Sequence, residues 1–197
     1  MKQDACNTLK TRAAFHYLKE HNRLDIYENY LRNKHEGTDG SELWRQVPVD
    51  VTDRVIKETI GEDFDAMFGP AYKGIPLATS VAGALARNYG IDKPFFFNRK
   101  EAKDHGEGGS LVGYKPADGD RIVIIEDVIT AGTAIRETLP VLYGAADVKV
   151  TDMFISVNRC EVGQTPGKTA VMEVGEEFGI RVHALITVQD IYEYLKE

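Results

Sequence analysis

Only two cysteines, Cys6 and Cys160, occur in 197 residues, too far apart for CxxC or metal-ligand spacing, which excludes a disulfide framework and a cysteine-built zinc site. Long apolar runs are missing too. No stretch approaches the roughly 20 residues a helix needs to cross a bilayer, and residues 1–10 hold no apolar segment of signal-peptide length. We therefore expect a protein of the reducing cytoplasm with no membrane partner. Positive charge is in short supply, with 24 Lys and Arg against 31 Asp and Glu and a net charge of −7. That balance argues against a nucleic-acid partner, whose backbone demands an extended basic surface. A local cluster of cations and loop N–H groups can still hold one small anion. No internal repeat, low-complexity tract or Pro/Ser-rich linker interrupts the chain. At 43% hydrophobic and 28% charged it has the composition of one domain with a buried core.

Periodicity divides the sequence in two. Over residues 1–60, Leu9, Ala13 and Tyr17, then Ile26 and Tyr30, recur at helical spacing before an irregular polar stretch, which predicts a small N-terminal helical cap or hood. From 61 to 197 short apolar runs alternate with amphipathic ones. Strands are predicted over Phe64–Phe68, Pro94–Asn98, Arg121–Glu126, Asp147–Val157 and Val182–Val188, and helices over Pro76–Asn88, Ala134–Gly144, Thr169–Phe178 and Asp190–Lys196. Such alternation implies an α/β fold, a mostly parallel sheet flanked by helices. Ligands of such sheets lie beyond the carboxyl ends of the strands, so the loops after Phe68, Glu126 and Val157 are where a site is expected. Pro140, inside a predicted helix, should kink it or end it early.

The stretch from Arg121 runs through apolar Ile122–Ile125 and ends in adjacent carboxylates, Glu126 and Asp127, followed by Val128, Ile129, Thr130, Ala131, Gly132, Thr133 and Ala134. Small and hydroxyl residues leading into a helix aim backbone N–H groups and two threonine hydroxyls at one point, which suits a monophosphate. Carboxylates beside it can accept hydrogen bonds from ribose hydroxyls or hold Mg²⁺. The same residues also fit an ordinary turn in which Thr133 caps the helix and the acids are solvated. A second anion loop is legible at Gly69–Gly74, where glycines, Lys73 and a helix start bearing Pro76 come together; a plain strand-to-helix turn has the same look. Between residues 98 and 110, Arg99, Lys100, Lys103 and His105 mix with Glu101, Asp104, Glu107 and three glycines. That composition suits a mobile charged lid, or a solvated hairpin tip. At the end of the fourth predicted strand, Asn158-Arg159-Cys160 puts a guanidinium within reach of the same edge, able to fork onto a planar carboxylate. Val162–Thr169 has a superficial likeness to a nucleotide-binding P-loop, but position 162 is Val, Gly163 leaves one residue too few, and Pro166 lacks a donor.

Together the acidic strand end with Thr-Ala-Gly-Thr, the Phe68–Pro76 loop and the Asn98–Gly109 segment resemble the motifs of type I phosphoribosyltransferases, and among them the branch that uses orotate. The resemblance covers about Phe64 to Lys196. It implies the type I phosphoribosyltransferase fold and Mg²⁺-dependent transfer of 5-phosphoribose from phosphoribosyl pyrophosphate (PRPP) to orotate. It also implies a homodimer in which the lid, residues 98–110, closes over the neighbouring active site. On this resemblance Tyr72 and Lys73 contact PRPP, Glu126 to Ala134 hold its ribose and 5′-phosphate, and Thr130 and Arg159 recognise the base. Lys103 and Arg99, supported by Lys100, stabilise the leaving group; His105 handles a proton; Asp127 belongs to the catalytic set. The resemblance expects Mg²⁺ to be held mainly by PRPP, with Glu126 and Asp127 the protein groups nearest to it. Residues 31–45 depart from the family's pattern, and no base contact is assigned there. Transfer to a different base, or a non-enzymatic PRPP-binding regulator, are the competing readings; the complete lid and the lack of a nucleic-acid-binding region weigh against the second.

Overall fold

A computed structural model describes residues 52–99 and 110–196. The expected cap over 1–60 therefore lies mostly outside the described residues, as do Lys100, Lys103 and His105 of the expected lid. Helix α1 (52–59) is followed by β1 (Ala66–Gly69), α2 (Gly74–Tyr89), β2 (Phe95–Asn98) and β3 (Leu111–Gly113). After them come β4 (Arg121–Val128), α3 (Thr133–Ala145), β5 (Lys149–Asn158), α4 (Ala170–Phe178), β6 (Arg181–Thr187) and α5 (Val188–Lys196).

The described strands form one six-stranded sheet in the order β3-β2-β1-β4-β5-β6, parallel throughout except for β3, which pairs antiparallel with β2 at the edge. Alternation along the central strands explains the two-sided core. Ile122 and Ile124 of β4, Phe68 of β1 and Met153 and Ile155 of β5 face one side with Ile135, Leu139 and Leu142 of α3 and Val174 of α4. Val123 and Ile125, Met67 and Phe154 face the other with Ala78, Val81 and Leu85 of α2. Burying each of the larger side chains among them is worth roughly 1.5–3 kcal/mol, so helices are required on both faces of the sheet. Helix α1 joins the second face: Ile56 is fully buried in that cluster, and the Asn88 side chain of α2 donates to buried Asp53 at 2.6 Å. The compact unit containing the sheet accordingly starts at Thr52 and takes in residues 52–60, the last nine of the stretch read from sequence as cap.

Helix α3 runs on through Pro140 to Ala145, so the early end expected there does not occur. Pro140 sits on the exposed side of the helix. No helix among the described residues is long and apolar enough to cross a membrane.

Strand order reverses between β1 and β4, which are neighbours although β2 and β3 intervene in sequence. From β1 the chain passes to α2 on one face and from β4 to α3 on the other, leaving a crevice where the two loops part, the place at which open α/β sheets bind ligands.

Candidate functional site

The loop after β1 is drawn tight by its glycines. A side chain on Gly69 would collide with the Gly74 carbonyl, and one on Gly74 would meet Pro70 and the Ile125 carbonyl of β4 at 2.7 and 2.8 Å. Backbone thus approaches backbone directly beside the end of β4. The Ala71–Tyr72 peptide bond is cis, and the Ala71 N–H donates to Asn98 Oδ1 at 2.8 Å, joining this loop to the end of β2. Tyr72 is 64% exposed and Lys73 is exposed as well.

Lys73 reaches across the crevice. Its ammonium donates to Asp127 Oδ2 at 2.7 Å, a hydrogen bond that raises the lysine's pKa. The two adjacent acids differ. Burial, reinforced by the neighbouring Asp127, pushes the Glu126 carboxyl up to about 7. Burial also works to raise Asp127, but hydrogen bonds from Lys73 and Glu126 and from the Val128 N–H prevail and hold it below the ordinary range. Two carboxylates of unequal proton affinity therefore stand side by side at the sheet's rim. Asp127 is ion-paired with Lys73, and Glu126 holds its proton more tightly.

Beyond them the chain turns through Val128, buried Ile129 and the exposed Thr130 and Ala131 to buried Gly132, which begins α3 at φ 71°, in the left-handed region that glycine enters at least cost. No side-chain cap covers the first turn of α3, so Thr133 does not play the capping part that the ordinary-turn reading gave it; Thr133 and Ala134 are exposed. The N-terminal N–H groups of a helix carry partial positive charge and suit an anion. Arg159, just past β5, donates to Thr130 Oγ1 at 2.7 Å and pairs with Glu161 at 2.8 Å. The structure thus joins Lys73 to Asp127 and Thr130 to Arg159 on one rim. Arg99 is exposed, and its N–H donates to the Ser110 carbonyl at 2.7 Å, at the two ends of the segment expected to form a lid.

Two supporting residues escaped the sequence reading. Asn98 clamps Ala71 from 27 positions away. Arg136 donates to the Ala131 carbonyl and forks onto Glu177 of α4, 41 positions on. Nothing local marks either; an arginine one turn into a helix that follows a phosphate-type loop is the faint signal for the second. Outside the rim, the loop after β5 that resembled a P-loop is filled from within. Glu173, buried in α4, accepts from the Gln164 N–H at 2.9 Å and from the Thr165 N–H, consuming donors a phosphate would need. His183 hydrogen-bonds buried Asp152 at 2.7 Å and stacks on Phe154, a packing role.

Comparison with known proteins agrees with this architecture. Residues 50–163 match the phosphoribosyl transferase domain family. The curated orotate phosphoribosyltransferase of Clostridium acetobutylicum is 49% identical over 142 residues, 72% of this chain and 63% of that protein, so the matched chain spans just under two thirds of that relative's length. The crystal structure of orotate phosphoribosyltransferase from Francisella tularensis superimposes with a TM-score of 0.66 at 33% identity, covering 76% of this chain and 69% of that one. A Mycobacterium tuberculosis orotate phosphoribosyltransferase solved with PRPP shares the fold at 22% identity and a TM-score of 0.54, covering 72% of this chain and 74% of that one.

Proposed function

We propose, from the premise that this chain belongs to the phosphoribosyl transferase family, that it is an orotate phosphoribosyltransferase: it moves 5-phosphoribose from PRPP to N1 of orotate, giving orotidine 5′-monophosphate and pyrophosphate for UMP synthesis. The observation that carries the reading is the acid pair Glu126–Asp127 set between two anion-binding loops at the reversal of strand order. A ribose phosphorylated at both ends matches that spacing of charge: 5′-phosphate at Thr130–Ala134, hydroxyls on the acids, pyrophosphate at Gly69–Gly74 with Tyr72 and Lys73.

Transfer breaks the bond between ribose C1 and a pyrophosphate oxygen, whose electron pair leaves with the pyrophosphate, while N1 of the base bonds to C1. Positive charge grows on the sugar and negative charge on the leaving group. The carboxylates face the first. Lys73, with Arg99, Lys100 and Lys103 of the lid, faces the second once closure has excluded water. His105, as an imidazole able both to donate and to accept, exchanges a proton with the departing pyrophosphate or the base. Arg159 presents its fork to orotate's carboxylate, held in place through the Thr130 hydroxyl.

The donor set fits Mg²⁺. Among the described residues no group of three or more His, Cys, Asp or Glu gathers to cage a metal, and Mg²⁺ commonly keeps waters and substrate phosphates with only one or two carboxylates. Glu126 and Asp127 are the groups that would face it, and when bound it neutralises charge on the pyrophosphate. A homodimer whose lid serves the neighbouring subunit, and a cytoplasmic setting, complete the proposal. The scarcity of cysteine suits a reducing compartment.

The test follows loss of orotate's ultraviolet band with PRPP and Mg²⁺, beside uracil, nicotinate and purine bases. Orotate should be consumed and the others spared. Turnover of another base alone would replace the acceptor and keep the transfer, a reading favoured by the departure of residues 31–45 from the family pattern. No turnover of any base would reject the activity.

A further inference from the structure

Arg136 lies in the first turn of α3 and faces the underside of the loop assigned to the 5′-phosphate. Its Nη1 donates to the Ala131 carbonyl at 2.7 Å. Its other edge forks onto Glu177, with Nη2 at 2.6 Å and Nε at 3.0 Å from the same oxygen, so the guanidinium is anchored on α4 while it holds the loop. Packing beneath the loop is close: a side chain on Gly132 would come within 2.8 Å of Arg136 Nη1 and of Val174.

The Ala131 carbonyl and the Gly132 N–H belong to one planar trans peptide unit and point in opposite directions. Pinning the carbonyl down toward Arg136 turns the Gly132 N–H up toward the rim. Released, the same unit can rotate and present a carbonyl oxygen to the anion, exchanging attraction for repulsion. We propose that Arg136, braced by Glu177, is a positioning residue that aims the loop amides at the 5′-phosphate without touching it. Both partners are needed: the fork on Glu177 fixes the guanidinium plane, and its remaining arm meets the carbonyl. Lysine, with a single ammonium, cannot serve both.

This inference rests on the reading of Thr130–Ala134 as the 5′-phosphate site, and the experiment separates the two. Calorimetric titrations of the full chain use ribose 5-phosphate and inorganic pyrophosphate as separate probes. Arg136→Met should weaken ribose 5-phosphate about tenfold, the order expected when one aligned hydrogen bond to a charged oxygen is lost, and leave pyrophosphate within about twofold. Arg136→Lys, which keeps the charge but not the fork, should recover less than half of that loss. Glu177→Gln, retaining the fold if the methionine variant does not, should weaken ribose 5-phosphate about threefold. An unchanged affinity for ribose 5-phosphate in Arg136→Met overturns the inference. So does an equal weakening of both probes, which marks general damage, and so does full rescue by lysine, which marks charge alone. A wild-type protein that binds no ribose 5-phosphate overturns the site reading together with this inference.

Discussion

Glu126 is where the cost of the site is concentrated. An unfolded glutamate titrates near 4.3, whereas burial pushes the folded one up to about 7. Between those values the folded state holds a proton that the unfolded state releases, so this residue's contribution to stability falls as pH rises across that window. Glu126→Gln removes the penalty. Its melting temperature should exceed that of wild type at pH 8, with the gain shrinking toward zero near pH 4; a difference independent of pH would contradict the assignment. Asp127 has the opposite sign. Its lowered pKa stabilises the fold above the ordinary carboxylate range, and that stability is lost as pH falls through the folded value. What sequence disclosed at this scale were contiguous features, the acid pair and the Thr-Ala-Gly-Thr turn, because their chemistry lies along the chain. Asn98 on Ala71 and Arg136 on Ala131 and Glu177 were hidden, since each joins segments that only the fold brings together.

At the scale of elements, α3 shows how tertiary packing overrides a local rule. Ile135, Leu139 and Leu142 are buried on one stripe either side of Pro140, and their burial holds the helix through the missing hydrogen bond. Pro140→Ala should restore a donor opposite the Arg136 carbonyl and stabilise by about 1–2 kcal/mol, after allowance for the freer unfolded chain. Thermal melting would show it, and a fall in melting temperature would mean that the proline is needed for the helix's course. Length and composition decide which elements are legible in the sequence. Strands β4 and β5 are long and carry apolar runs, Ile122–Ile125 and Met153–Ile155, that mark them in the sequence. Strand β3 has three residues, too short to leave a pattern, and is held to β2 by the antiparallel ladder. Helix α1 read as cap because helical periodicity does not reveal which surface a helix will cover; its burial against Phe64, Val81 and Leu85 assigns it to the sheet.

For the whole molecule, the proposed exchange of lids between subunits makes the dimer, rather than the chain, the working unit. Lys103→Ala and Asp127→Asn should each be nearly inactive alone. Refolded together in equal amounts, half the dimers are mixed, and each of these carries one site with an intact Asp127 facing an intact Lys103, so activity should return to about a quarter of wild type. A mixture no more active than its parents would place each lid over its own subunit's site or leave the chain monomeric.

PRPP is expected to lie across the crevice between β1 and β4, and a crystal soaked with PRPP and Mg²⁺ tests this most directly. The 5′-phosphate should rest on the amides of Thr130–Ala134, the ribose hydroxyls on Glu126 and Asp127, and the pyrophosphate over Gly69–Gly74. Density for PRPP elsewhere, or the opposite orientation with pyrophosphate at the start of α3, would contradict it.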